Sequence, residues 1–175
     1  MTKRRRVPLG ANNFLSVLEG VEGGFAIFAG IVVGLSFEQV PRELLIMTAA
    51  IGIVVNAFNS SAVRFASEHY LDELDGHEKH HWAKSYLVPA LVEFLSYLVV
   101  SLIALLPLVI IGDLTTAIIS SVIVTLVILF LAGLYRGTLL MRRRAIRDGL
   151  EIAGLGLLII MIGGVSGWVI SQLII

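Results

Sequence analysis

Apolar residues in this chain run in long, nearly unbroken stretches. They show neither the alternation of a half-buried strand nor the single stripe of a soluble helix. Five windows reach the roughly 20 mostly apolar residues that a spanning helix needs. They are Phe14–Phe37, Leu44–Phe65, Tyr86–Ile111, Leu114–Leu134 and Leu150–Ile175. The breaks between them suit turns. Glu38 to Glu43 holds Pro41, Arg42 and two acids, and Gly112-Asp113 is a short turn. Arg136 to Asp148 reads as a basic amphipathic stretch that lies on the membrane surface. The windows are too long and too continuous for barrel strands, and lipid tolerates only closed hydrogen-bonded elements. The pattern predicts an all-α integral membrane protein: one five-helix transmembrane domain over residues 1–175, with a cytoplasmic connector at 67–84.

The basic residues give the expected orientation. With the N-terminus cytoplasmic, Lys3, Arg4, Arg5, Arg6, Arg64, Lys79, Lys84, Arg136, Arg142, Arg143, Arg144 and Arg147 collect on the inner side. Only Arg42 is outside, and so is the C-terminus. Trp82 then falls near the inner interface and Trp168 near the outer one. The segment after the Lys3–Arg6 cluster is long and carries two glutamates, so it reads as a retained helix, not a cleaved signal.

Composition sharpens this picture. The chain is 57% apolar and only 15% charged, with a mean hydropathy of +0.93. The formal net charge of zero hides strong segregation along the chain. There is no cysteine, which excludes disulfides, thiolate metal sites and thiol catalysis. A metal would be held by oxygen, imidazole or thioether, which favours Mn, Fe, Mg or Ca over structural zinc. Nucleic-acid binding is not expected, because the basic residues serve as positive-inside anchors.

Ionisable side chains inside a bilayer are costly and usually functional. Glu19 and Glu22 stand three apart on the first helix and are expected to share a face. They lie about 7–12 Å from its inner end. Asn59 falls about 9 Å from the inner end of the second helix, with Asn56 one turn deeper, and Glu93 lies about 10 Å into the third. Carboxylates and amides from three helices thus occupy one slab, an oxygen-rich setting for a divalent cation. The alternative is structural: Glu19 or Glu22 pairs with Arg64, Asn56 and Asn59 act as interhelical glue, and Glu93 is part of the scaffold. The small-xxx-small pairs Gly20/Gly24 and Gly30/Gly34 allow either intrachain packing or a homodimer seam along helix 1. Gly163/Gly167 reads as packing on helix 5.

The connector SEHYLDELDGHEKHHW contains all four histidines of the chain. Glu68, His69, Glu73, His77, His80 and His81 are candidates to gather metal at the cytoplasmic mouth, against the alternative of a solvated polar loop. His77 to His81 also forms a HExxH pattern, the zinc-protease signature. No apolar helix or third ligand supports it, so it reads as a coincidence of a His-rich loop.

The run Glu19-Gly-Val-Glu-Gly-Gly-Phe-Ala-Ile-Phe-Ala-Gly30 resembles the first helix of the vacuolar iron transporter (VIT1/CCC1-like) family. Pro89 to Pro107, Phe130-Leu-Ala-Gly-Leu-Tyr-Arg-Gly137 and Gly149-Leu-Glu-Ile-Ala-Gly154 are similar to its helices 3, 4 and 5. The resemblance implies a five-helix homodimer that exports Fe2+ or Mn2+ from the cytosol in exchange for protons, along an interface lined by helices 1 and 2. It implies no enzyme activity and no permanently bound cofactor. Where the family has Asp, Met and Glu on helix 2, this chain has Asn56, Ser60 and Arg64, which marks it as divergent. The family's cytoplasmic metal-binding domain is shortened here to the 67–84 connector.

The expected function is therefore proton-coupled divalent-metal transport, with Glu19 and Glu22 as the intramembrane ligands. A non-transporting membrane scaffold and a membrane zinc hydrolase are the alternatives. The compact chain suits a multi-pass protein of a prokaryotic cell membrane more than one of a vacuole.

Overall fold

The computed structural model describes residues 11–38, 40–76, 81–140 and 145–174. Its long helices are α1 (Ala11–Leu35), α2 (Arg42–Leu74), α3 (Val88–Ile110), α4 (Leu114–Leu140) and α5 (Ala145–Ile174). A 3-10 turn follows α1 at Ser36–Glu38, and a π turn at Ala83–Leu87 leads into α3. All five helices are long and apolar enough to cross a membrane, and no strand occurs among the described residues.

The boundaries follow local chemistry. Pro41 precedes α2 and its carbonyl accepts from Leu45 N at 3.0 Å. Gly76, at φ 66°, takes the left-handed conformation just past the end of α2. Asp113 caps α4: Oδ2 accepts from Thr116 N at 2.8 Å and from Thr116 Oγ1 at 2.6 Å. At the same end of the bundle, Arg42 donates from Nε to Leu108 O at 2.9 Å and from Nη1 to Gly112 O at 3.0 Å. The one arginine expected outside thus covers carbonyls left open where α3 ends.

Two expectations about element ends need correction. Helix α2 does not stop at Phe65 but runs on to Leu74. Its 33 residues span about 50 Å, well beyond a hydrocarbon core of about 30 Å. The basic stretch is not a separate surface helix. Arg136 belongs to α4, Arg147 and Asp148 belong to α5, and Arg142, Arg143 and Arg144 lie outside the described residues, as do Lys3, Arg4, Arg5, Arg6 and Lys79.

Helix α1 is the hub and packs on all four others. Its spanning window is 53% buried, against 22–33% for the rest. Phe25, Phe28, Ala29 and Val32 of α1 meet Tyr97, Ala104 and Leu108 of α3, with Leu129 of α4 and Ile160 of α5 in the same core. On α2 the buried stripe recurs every three or four residues: Leu45, Ala49, Ile53, Ala57, Ser61 and Arg64. The opposite face, from Met47 to Val63, is exposed and, apart from Thr48 and Asn59, apolar, as a lipid-facing surface should be.

The helix 1 glycines pack against other helices of the same chain, as the intrachain reading expects. A Cβ on Gly20 would stand 2.6 Å from Glu93 O on α3, and one on Gly34 would stand 2.8 Å from Gly163 O on α5. Gly24 abuts Tyr97 and Ser101, and Gly30 abuts Ile159. Gly163 and Gly167 face Gly30 and Gly34 in return, as expected of packing glycines on helix 5.

Candidate functional site

The buried stripe of α2 ends in a cation. Arg64 is 8% exposed and is ringed by three carboxylates from three helices. It pairs with Glu19 of α1, with Glu68 one turn along α2 at 2.7 Å, and with Glu93 of α3 at 3.8 Å. Its Nη2 also donates to Asn12 Oδ1 at 3.3 Å. Ser60 Oγ donates to Glu93 Oε1. The other Glu93 oxygen, Oε2, is buried and accepts no hydrogen bond. Glu93 reaches this point because it lies on the inward face of α3, in register with Ala90, Tyr97 and Ser101.

These groups line an open cavity of about 360 Å³, bounded by Glu19, Ser60, Arg64, Ser67, Glu68 and Glu93. A second cavity of about 450 Å³, lined by Asn12, Glu68, Asp72, Lys84 and Ser85 among others, shares Glu68 with it. Polar surface therefore runs from the projecting end of α2 to the intramembrane carboxylates.

The remaining candidates are spread more widely. Glu22 does not join Glu19. It pairs with Arg136 of α4 at 3.6 Å and lines a separate cavity of about 240 Å³ with Leu129, Ile152 and Ile159. Three residues at 100° each leave the two side chains about 60° apart around the helix. That divergence sends one toward α2 and the other toward α4. Asn56 Nδ2 donates to Gly52 O of its own helix at 3.0 Å, and Asn59 is exposed on α2. His69 packs among aromatic rings, stacked on Phe65 at 6.2 Å and edge-on to Tyr86 at 5.2 Å. Tyr86 OH donates to Asp72 Oδ2 at 2.8 Å and ties the end of α2 to the start of α3. Glu73 and His81 are exposed. His77, Glu78 and His80 lie outside the described residues, and with them most of the HExxH pattern.

From the sequence, Glu93 belongs to the same slab as the other acids but leans toward a scaffold role, Ser60 stands out only as a departure from the family pattern, and Asn12 does not stand out at all. The signal for Glu93 was present, because it shares a helical face with Ala90 and Tyr97. Among the described residues no three Asp, Glu or His side chains come together closely enough to hold one metal ion. The Arg64 guanidinium stands between the carboxylates that would otherwise converge.

Five helices long and apolar enough to span a membrane, with a charged and partly open cluster between α1, α2 and α3, define a multi-pass membrane protein. Residues 50–168 match the VIT family, and the chain belongs to that family. The family is one of membrane metal transporters, iron and manganese among their ions, and not of enzymes. No curated protein matches the chain.

Proposed function

We propose that the chain carries a divalent transition metal, Fe2+ or Mn2+, out of the cytosol in exchange for protons, acting as a homodimer with its N-terminus cytoplasmic. The observation that carries this reading is the set of carboxylates from α1, α2 and α3 lining one cavity inside a five-helix membrane protein of the VIT family. Carboxylate and hydroxyl oxygens suit hard or borderline divalent ions. In this reading Glu68 receives the ion at the inner mouth, and Glu19 and Glu93 hold it within the membrane. Glu22, paired with Arg136 on the other side of α1, holds a second charge that answers to the first through one helix. His69, Glu73, His77, His80 and His81 gather metal near the mouth, and Asn56 and Asn59 supply neutral oxygens along α2.

The test is flux into liposomes that carry a metal-sensitive dye, with Mn2+ or Fe2+ outside and an imposed pH gradient. Saturable, gradient-dependent uptake is expected. A Glu19→Gln/Glu22→Gln double variant that folds should lose it. Full flux in that variant would overturn the assigned pathway.

A second reading has its own observation. Arg64 engages Glu19, Glu68 and Glu93 together, as a purely structural ion-pair network would. A non-transporting scaffold of this kind predicts no flux of any divalent ion. It also predicts that the Glu19→Gln/Glu22→Gln variant aggregates.

A further inference from the structure

We infer that Arg64 is a tethered cation that occupies the carboxylate cluster in place of a metal ion, so that the guanidinium and a divalent cation are alternative occupants of one site made by Glu19, Glu68, Glu93 and Ser60.

Three observations carry this. First, the guanidinium sits among the oxygens themselves. It reaches carboxylates on α1, α2 and α3 from one buried position and stands between them, so that with it in place they do not close around a metal ion. Second, the guanidinium fills the site poorly. Glu93 is 3% exposed, yet its Oε2 faces Arg64 Nε across 3.8 Å, and neither atom makes a hydrogen bond. That separation is too long for a hydrogen bond, so a buried carboxylate oxygen is left for a better ligand. Third, charge and space remain. Three carboxyl groups, Glu93 among them buried, surround a single guanidinium, so the cluster holds more acid than base. The adjoining cavity of about 360 Å³ has room for an ion on the same residues.

The chemistry sets the direction of the effect. Arginine keeps its charge at every accessible pH. An incoming divalent ion must therefore displace the guanidinium or bind beside a fixed positive charge. Either way Arg64 weakens metal binding and keeps the cluster compensated when no metal is present. Arg64 sits one turn before Glu68, on the side of the cavity that leads to the inner mouth. The lock rests on the divalent-metal reading for the class of ion it excludes.

The experiment measures Mn2+ binding by purified wild type, Arg64→Gln, Arg64→Lys and Arg64→Gln/Glu93→Gln, using the loss of the free Mn2+ electron paramagnetic resonance signal. Arg64→Gln should bind Mn2+ at least about tenfold more tightly than wild type, because a fixed positive charge has been removed from beside the site. The Glu93→Gln change should cancel the gain. Arg64→Lys should also tighten binding, by less, because a lysine ammonium cannot bridge carboxylates as a planar guanidinium does. Unchanged affinity in a folded Arg64→Gln protein, or a gain that survives Glu93→Gln, would overturn the lock. If Arg64→Gln folds only with Mn2+ present, that rescue supports it. Misfolding that Mn2+ does not rescue, together with unchanged binding in Arg64→Lys, overturns it. Flux in wild-type liposomes is read separately. Tighter binding in Arg64→Gln without wild-type flux keeps the lock and removes transport. Wild-type flux with no effect of Arg64 on binding does the reverse.

Discussion

Single side chains in this protein act by closing open valences. Asp113 is the simplest case. Its carboxylate accepts the side-chain and backbone donors of Thr116, and these hold its pKa below the usual value of 3.8. A carboxyl whose folded pKa is depressed contributes stability that is present above its unfolded pKa and is lost as pH falls through the folded one. Asp113→Ala should therefore lower the melting temperature at neutral pH. The gap to wild type should start to narrow as pH falls below the usual carboxyl value, and it should close only below the lower, depressed value of the folded Asp113. Thermal unfolding in detergent across a pH series reads both effects. A gap that stays constant into acid would mean the carboxylate's charge is irrelevant to the cap. Arg42 does the complementary service for the carbonyls at the end of α3. Arg64 differs from both because it is itself buried and its charged partners come from three helices, so it serves as a joint between α1, α2 and α3.

At the scale of elements, close approach of backbones decides how the helices meet. Helices α1 and α5 touch through Gly30, Gly34, Gly163 and Gly167. In a bilayer this matters more than in water, because lipid tails compete with apolar side chains on equal terms and close van der Waals packing drives association. Gly34→Ala would push a methyl group to 2.8 Å from the Gly163 carbonyl oxygen, a backbone atom that cannot rotate away. Overpacking of this sort should cost about 1–3 kcal/mol. Gly154, on the same α5, has nothing within 4 Å of a built Cβ. Gly154→Ala should be neutral or stabilise the helix by about 0.5–1 kcal/mol. Unfolding of the two variants in parallel tests whether the glycine seam, and not helix propensity, sets the stability of this pair. Equal behaviour would contradict it. Element ends carry the other lesson of this scale. Helix α2 overshoots its apolar window because nothing from Ala66 to Leu74 breaks a helix until Gly76, and the same segment offers Glu68, His69 and Asp72 to neighbours beyond the membrane.

For the whole molecule, α1 is surrounded by the other four helices and its charges are divided between two sides. Glu19 faces Arg64, and Glu22 faces Arg136. Among the described residues α1 thus takes part in two ion-pair centres, one open to a polar cavity and one beside an apolar cavity. Which way they face in the cell is an expectation from the basic residues, and it can be tested. With no native cysteine, single-cysteine labelling is clean. Gly112→Cys, at a turn where a built Cβ meets nothing within 4 Å, should react with a membrane-impermeant maleimide added outside intact cells. Asp75→Cys, on the exposed end of α2, should react only after the membrane is opened. The reverse pattern would invert the proposed direction of transport.

The number of spans and their all-helical nature were legible in the sequence. The length of an apolar run measured against the thickness of a bilayer is a one-dimensional comparison, and it needs no knowledge of neighbours. The family resemblance was legible for a similar reason, since local runs such as Phe130–Gly137 and Gly149–Gly154 can be read in order along the chain. The candidate site was legible only in part. Glu19 and Arg64 could be named, and their pairing weighed, but a spacing of three residues did not reveal that Glu22 turns away toward α4. The tertiary structure decided which acid meets which base, that the helix 1 glycines serve α3 and α5, and that Glu93 completes the cluster. Each of these depends on the rotation of one helix about its axis relative to another. Close packing of surfaces far apart in the chain sets that rotation, and the hydrophobicity of any single segment does not.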